Sequence, residues 1–188
     1  MKLENIFAGD KMELTLFERS KKSKSEIKKI KAEQNIPAVI YGPGRENENA
    51  YVDGAEFRQL MKSLPQGRLS SSIFTLKKGK ETLKALVKGI QYHKTTYQIL
   101  HIDFQVLEDD KFVNVKIPIE FSGRADCVGI KQGGTLRQVI RKLQVRCLPK
   151  DIPAHFILNV QELEMNQSKR LADITMPEGV KAITKNIK

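Results

Sequence analysis

The sequence predicts a mainly β protein of α+β class: a mainly antiparallel sheet or small barrel with two helices in a first domain, then a β-rich second domain. Three observations carry that reading. Short apolar or alternating runs recur between Gly, Pro and Asn turns, only two stretches hold clear helical spacing, and the acidic Glu108-Asp109-Asp110 interrupts an apolar pattern that then resumes. With 188 residues and 40% apolar content the chain can bury a core, as one domain or two. We place the boundary in the acidic turn, giving an extension over 1–11, a first domain over 12–108 and a second over 109–188.

Residues 1–11 match no pattern and read as an extension ahead of a domain starting at Met12, itself a candidate start of translation. Residues 12–18 alternate apolar and polar and predict a half-buried strand. Ser25 is the expected cap of a helix over 26–34, and Pro37 forces its exit by disfavouring helical geometry at Ile36. On that helix Lys24, Lys28 and Lys31 form one stripe, and Ile27 and Ile30 an adjacent face. Residues 37–41 are a compact apolar strand closed by Gly42-Pro43-Gly44, followed by a turn or mobile loop through Asn49. Asp53-Gly54-Ala55-Glu56 has the D-x-x-E capping form, and Phe57, Leu60, Met61 and Leu64 follow at helical spacing, as a core-facing helix requires.

Residues 73–77 and 81–92 flank Lys78-Gly79 as a hairpin, and 97–104 predict another strand. In the second domain Val113, Val115, Ile117, Ile119 and Phe121 alternate. Beyond Gly133-Gly134, the alternation of Val139, Arg141, Leu143, Val145 and Cys147 favours a strand, although Leu136, Val139, Ile140 and Leu143 also fit a helix. Pro149, Pro153, Pro177 and Gly179 divide the remainder into short strands.

Charge sharpens the reading. The 33 Lys and Arg outnumber 22 Asp and Glu, giving +11, and a polyanionic partner follows as the first expectation. Residues 19–31 carry seven basic residues and one acid, while 131–150 carry six basic residues and none. Two concentrated blocks suit docking faces better than evenly spread charge would. No stretch has the length or apolarity of a membrane helix, and no apolar run of signal-peptide length opens the chain, so the expected address is the cytoplasm. Two cysteines, Cys127 and Cys147, make neither a disulfide framework nor a zinc site. No cofactor is expected, because Gly42-Pro43-Gly44 and the glycines from 129 to 134 match neither the Walker form nor the dinucleotide fingerprint.

His101 and Asp103 stand two apart in a strand, so their side chains leave on one face while Ile102 and Phe104 take the other. An enzyme would use them as a base and its orienting carboxylate, yet no nucleophile motif accompanies them. A binding surface suits them better. Phosphates repel an acid, so Asp103 belongs on an RNA face only as an acceptor from a guanine amino group or a ribose hydroxyl in the wide minor groove. Tyr41 and His101 add hydrogen bonds or stacking beside it. The opposing reading is an exposed polar pair without function.

The basic helix, Ile36-Pro37-Ala38-Val39-Ile40-Tyr41-Gly42, and Gln91-x-His93 leading to His101-Ile102-Asp103-Phe104 resemble bacterial large-subunit ribosomal protein twenty-five. Gly133-Gly134-Thr135-Leu136, Cys147-Leu148-Pro149-Lys150-Asp151-Ile152-Pro153 and Met176-Pro177-Glu178-Gly179-Val180 are similar to its long two-domain form, the CTC or general stress protein type. The resemblance implies a six-stranded β-barrel with short helices, a β-rich C-terminal domain and binding to 5S rRNA in the central protuberance of the large ribosomal subunit. It places Arg19, Lys24 and Lys28 on the RNA from the basic segment, Tyr41, His101 and Asp103 in the minor groove, and Lys88 at a polar contact position. It leaves neighbouring ribosomal proteins or 23S rRNA as partners of the C-terminal domain. Three departures stand out. Ser23 and Ser25 replace glycines of the family's basic loop, Lys94 replaces a proline after His93, and the chain stops at Lys188 where longer relatives continue, so a final strand is expected to be missing.

The leading hypothesis is thus a non-enzymatic RNA-binding constituent of the ribosome. The alternative is a stress-related, ribosome-associated module whose C-terminal domain recruits a protein partner through residues 131–150. A hydrolase using His101 and Asp103 ranks last.

Overall fold

A computed structural model describes residues 12–19, 24–65, 67–79 and 81–183. The extension over 1–11, and Lys21, Lys22 and Ser23 of the basic segment, lie outside the described residues. Past Met12 the alternation becomes strand β1 (Glu13–Glu18), with Leu14 and Leu16 buried.

Helix α1 (Lys24–Ala32) begins before Ser25, which therefore sits in the first turn rather than capping it. Glu26 near its start and Lys29 and Lys31 near its end both suit the helix dipole. Ile30 is buried and Ile27 half-buried, while Lys28, Lys29 and Lys31 are exposed. The exit is not made by Pro37. It comes earlier, where Gln34 takes φ 61° and Asn35 N donates to Ile30 O at 3.0 Å, a Schellman-type ending built without glycine.

Strand β2 (Ile36–Gly42) then turns at Gly44, φ 75°, into strand β3 (Arg45–Val52). The expected loop through Asn49 is therefore corrected to a strand. Its run Arg45-Glu46-Asn47-Glu48-Asn49 hides the element because its charges are answered across the barrel. Arg45 Nη2 lies 2.8 Å from Glu81 Oε1, and Lys78 Nζ lies 2.6 Å from Glu48 Oε2 and 3.0 Å from Glu18 Oε1. Helix α2 (Gly54–Ser63) is capped as expected, Asp53 Oδ1 accepting from Ala55 N at 2.7 Å and Glu56 N at 3.3 Å. Phe57 is fully buried beside Phe74, which meets Phe104 edge-on.

The predicted hairpin is β4 (Ile73–Lys78) and β5 (Glu81–Tyr92), and β6 (Ile99–Val106) follows a turn in which Tyr97 has φ 54°. The six strands close into a barrel in the order β1-β3-β2-β6-β5-β4. β2–β6 and the closing β1–β4 pairs are parallel; the other four are antiparallel. Closure leaves no sheet edge to pair with another chain, and the alternate residues of each strand fill the interior.

Chain contacts divide the molecule into Met1–Pro65 with Ser72–Glu108, and Gln66–Ser71 with Asp109–Lys188. The division is not one cut. Arg68, fifty-two residues from Glu120 in sequence, holds it with a forked pair of hydrogen bonds, Nε to Oε1 at 3.0 Å and Nη2 to Oε2 at 3.1 Å. In the second unit β7 (Val113–Ser122), β8 (Lys142–Cys147), β9 (Phe156–Asn159) and β10 (Lys181–Ala182) form a sheet ordered β10-β8-β7-β9, and the short helix α3 (Val128–Lys131) lies between β7 and β8 in sequence. Val113, Val115, Ile117, Leu143, Val145 and Cys147 make its core.

The strand expected from Val139 starts only at Lys142. Pairing with β7 ends at Pro118–Lys142, and Val139, left without a strand to meet, is 82% exposed. Between β9 and β10 the described residues hold turns rather than the expected run of short strands. The apolar anchors there, Val160, Leu163, Ile174 and Val180, are isolated residues, not alternating runs.

The Glu18–Lys78–Glu48 cluster gives a pH prediction. The hydrogen bond from Lys78, ahead of the opposing effect of burial, holds the Glu48 carboxyl below its ordinary 4.5, and the same bond holds Lys78 above 10.5. A depressed carboxyl contributes stability that is complete above its unfolded value and is lost as pH falls through the folded one. The stability advantage of the natural chain over Glu48→Gln should therefore be constant near neutrality and shrink below pH 4.5, read as denaturant midpoints across a pH series. An advantage that grows in acid would contradict the cluster's role.

Candidate nucleic-acid interface

Strand parity sorts the barrel into an inner and an outer face. In β6, Ile102, Phe104 and Val106 are buried, so His101, Asp103 and Gln105 point out. In β2, Ala38 and Ile40 point in, so Val39 and Tyr41 point out. The register places Val39 beside Asp103 and Tyr41 beside Gln105. On the far side β5 pairs Gly89 with Asp103 and Gln91 with His101.

The result is a cluster. His101 Nδ1 stands 2.8 Å from Asp103 Oδ1, with side chains 23% and 37% exposed. Nδ1 is enclosed, and its contact with the carboxylate is a close approach rather than an aligned hydrogen bond. Burial, and then the neighbouring Asp103 charge, push the Tyr41 phenol above its ordinary 10.0, so it remains a protonated donor at neutral pH. Gly89 makes room for the carboxylate: a Cβ there would lie 3.3 Å from Asp103 Oδ2.

The other sequence-predicted residues surround this cluster without joining it. Lys88 has an exposed side chain at the β5 bulge between Val87 and Gly89. Lys28 is exposed on α1, which packs on β2, and Lys24 opens the same helix. Arg19 follows β1; its backbone N donates to Asn49 O at 3.1 Å and its Nη2 to Asn49 Oδ1 at 3.2 Å, which fixes the guanidinium on the barrel wall. Because Asn49 pairs with Val39 and Val39 with Asp103, Asn49, Val39, Asp103 and Gly89 form one row across four strands, which Arg19 extends just past the end of β1.

A second row was not singled out from sequence. Phe17, 43% exposed, stacks on Tyr51 with ring centroids 5.1 Å apart and 18° between planes, and Tyr51 pairs with Pro37. A signal existed: Phe17 is an aromatic at outward parity between inward Leu16 and the strand end. Its partner across the sheet did not show in the pattern. The outer face thus combines cations, a donor phenol, acceptors at Asp103 and His101, and an aromatic pair. Such a face can meet phosphates, hydroxyls and base edges together.

Nucleophilic chemistry has no support beside it. Cys147 is buried in the second unit with its thiol pushed up to about 11, first by burial and then by Asp151, and Cys127 donates to Leu163 O at 3.3 Å. Among the described residues no group of three or more His, Cys, Asp or Glu could hold a metal ion.

Two family descriptions match the chain, the ribosomal L25p family over residues 14–104 and the ribosomal protein TL5 C-terminal domain over 112–187. The large ribosomal subunit protein bL25 of Chlamydia abortus is 47% identical over 173 residues, which are 92% of this chain and 94% of that protein. Proteins of the same name from Chlamydia muridarum and Chlamydia pneumoniae are 46% and 43% identical over the same shares.

Proposed function

The chain belongs to the ribosomal L25p family, in the long form with a TL5-type C-terminal domain, and from that premise we propose that it binds 5S rRNA in the central protuberance through the outer face of its barrel. It is a constituent of the large ribosomal subunit, at work on the ribosome in the cytoplasm, and not an enzyme.

The observation that carries the RNA reading is the Tyr41–His101–Asp103 cluster on an outward barrel face beside the basic α1. Arg19, Lys24, Lys28 and Lys88 supply affinity by displacing counterions from phosphates. Tyr41, His101 and Asp103 supply selectivity, since donors and acceptors at fixed positions match base edges and ribose hydroxyls in a wide, shallow minor groove. The boundary of this RNA-binding domain lies near Glu108.

Purification of the native protein from its own cytoplasm at low salt, followed by sequencing of the bound RNA, tests the reading. Recovery of 5S rRNA is the expected result; its absence from the bound RNA would overturn it. A finer test concerns Lys28. Counterion release predicts that Lys28→Ala lowers the slope of log affinity against log salt by about 0.7–0.9, with little change in preference among RNAs. An unchanged slope would remove Lys28 from the phosphate contacts.

A further inference from the structure

The second unit holds a cleft of about 550 Å³ that the RNA reading leaves unused. Its floor is apolar, built from Phe121, Leu136, Leu158, Val160, Leu163 and Ile174. One wall is the stretch over 135–140, whose last two residues fall within the strand that sequence periodicity expects from Val139. Among the described residues it makes no backbone–backbone hydrogen bond, and its Val139 and Ile140 are 82% and 43% exposed, with Met165, another lining residue, at 51%. An apolar cleft with an irregular backbone along it whose amides and carbonyls are not paired with other backbone fits a protein segment that meets those groups with its own backbone and inserts apolar side chains.

The rim states the partner's charge. Arg137, Lys169 and Arg170 line the cleft and Arg141 lines its continuation, against the single acid Glu164. All four cations are exposed, and among the described residues none of their side chains makes an ion pair, although the backbone N of Arg170 donates to Asp173 Oδ2 at 2.8 Å. Glu164 is engaged by Gln167 Nε2 at 3.0 Å. The basic block over 131–150 is thereby divided: Lys131 turns to Asp126 at 3.3 Å, Arg146 lies over Phe112 at 5.2 Å, and only Arg137 and Arg141 reach the cleft.

RNA fits this site poorly. It would satisfy the rim, but it would leave an aliphatic floor against a charged backbone, and Phe121 is the only aromatic ring among the lining residues. We propose that this cleft docks an extended, acidic segment of a neighbouring protein, with apolar side chains on the floor and carboxylates on Arg137, Arg141, Lys169 and Arg170. The proposal concerns a different unit from the RNA-binding face and stands independently of it.

The test is a titration of the purified full chain, followed by methyl NMR, with peptides of roughly twelve residues that alternate leucine with glutamate or leucine with lysine. The glutamate peptide should shift the methyls of Leu136, Val139 and Leu163 and bind about tenfold or more tighter than the lysine peptide, and Arg137→Glu with Arg170→Glu should remove that preference. Equal affinity for the two peptides, shifts confined to other regions, or an oligouridylate moving the same methyls with equal affinity would each overturn the proposal. Because no ribosomal RNA enters the experiment, its failure is distinct from any failure of 5S binding.

Discussion

Replacing Asp103 with alanine should weaken the proposed 5S rRNA binding about tenfold or more, although the change removes a negative charge from a face proposed to meet a polyanion. The sign separates two roles. If Asp103 were only an exposed carboxylate, its loss would relieve repulsion from phosphates, by roughly 0.3 kcal/mol for charges near 8 Å in screened water. If it accepts from a guanine amino group or a ribose hydroxyl, alanine forfeits a hydrogen bond to a charged acceptor, about 1.5–3 kcal/mol. The second term is several times the first, so weaker binding is the outcome of a reading role and slightly tighter binding that of a bystander.

The salt slope should stay as it was, because no phosphate contact is lost. His101→Ala should act in the same direction, since the imidazole lies 2.8 Å from the same carboxylate on the same outward face. Gly89→Ala supplies a variant that leaves both side chains in place. Its Cβ would stand 3.3 Å from Asp103 Oδ2, so the carboxylate must give by a few tenths of an ångström and binding should fall by less than in Asp103→Ala. Filter binding or fluorescence anisotropy with 5S rRNA over a salt series reads all three. Thermal melts establish that each variant is folded, as expected for side chains on the outer face.

What the sequence made legible follows from how local each signal is. The alternation of β1, the Asp53 cap and the hairpin at Gly79 each lie within a few residues, and each is present in the structure. The side-by-side emergence of His101 and Asp103 is likewise a property of one strand. β3 was hidden because a polar strand becomes plausible only once Lys78 and Glu81, thirty and thirty-six residues away, answer Glu48 and Arg45. Arg68 gives no local sign of its attachment to Glu120, and Phe17 gives none of Tyr51. The run after Gly133-Gly134 failed in the opposite way. It has the periodicity of a strand, but β7 is paired on that side only as far as Pro118, so the pattern continues where pairing stops.

Gly54→Ala carries the largest expected effect on stability, and local rules give it the wrong sign. Gly54 is the first residue of α2, and alanine is the better helix former by about 1 kcal/mol, so propensity predicts a stabilised protein. Tertiary geometry predicts the reverse. A Cβ at Gly54 would lie 2.0 Å from the backbone oxygen of Gln34 and 3.2 Å from its carbonyl carbon, a clash that no side-chain rotation relieves. Neither partner is free to withdraw. Gln34 is held at φ 61° in the turn fixed by the Asn35 N to Ile30 O bond, and α2 is anchored one turn later by the fully buried Phe57. Overpacking against backbone should therefore outweigh the gain in propensity and destabilise the barrel by about 3 kcal/mol or more. Gln34→Gly, at the other side of the same contact, should raise stability by about 0.5–1 kcal/mol, because a left-handed backbone strains glutamine but not glycine and the strain relieved exceeds the added unfolded-state entropy. Equilibrium urea unfolding of both variants decides the matter: opposite shifts of the midpoint are expected, and a stabilised Gly54→Ala would show that the α1–β2 turn and the start of α2 do not meet as closely as the packing requires.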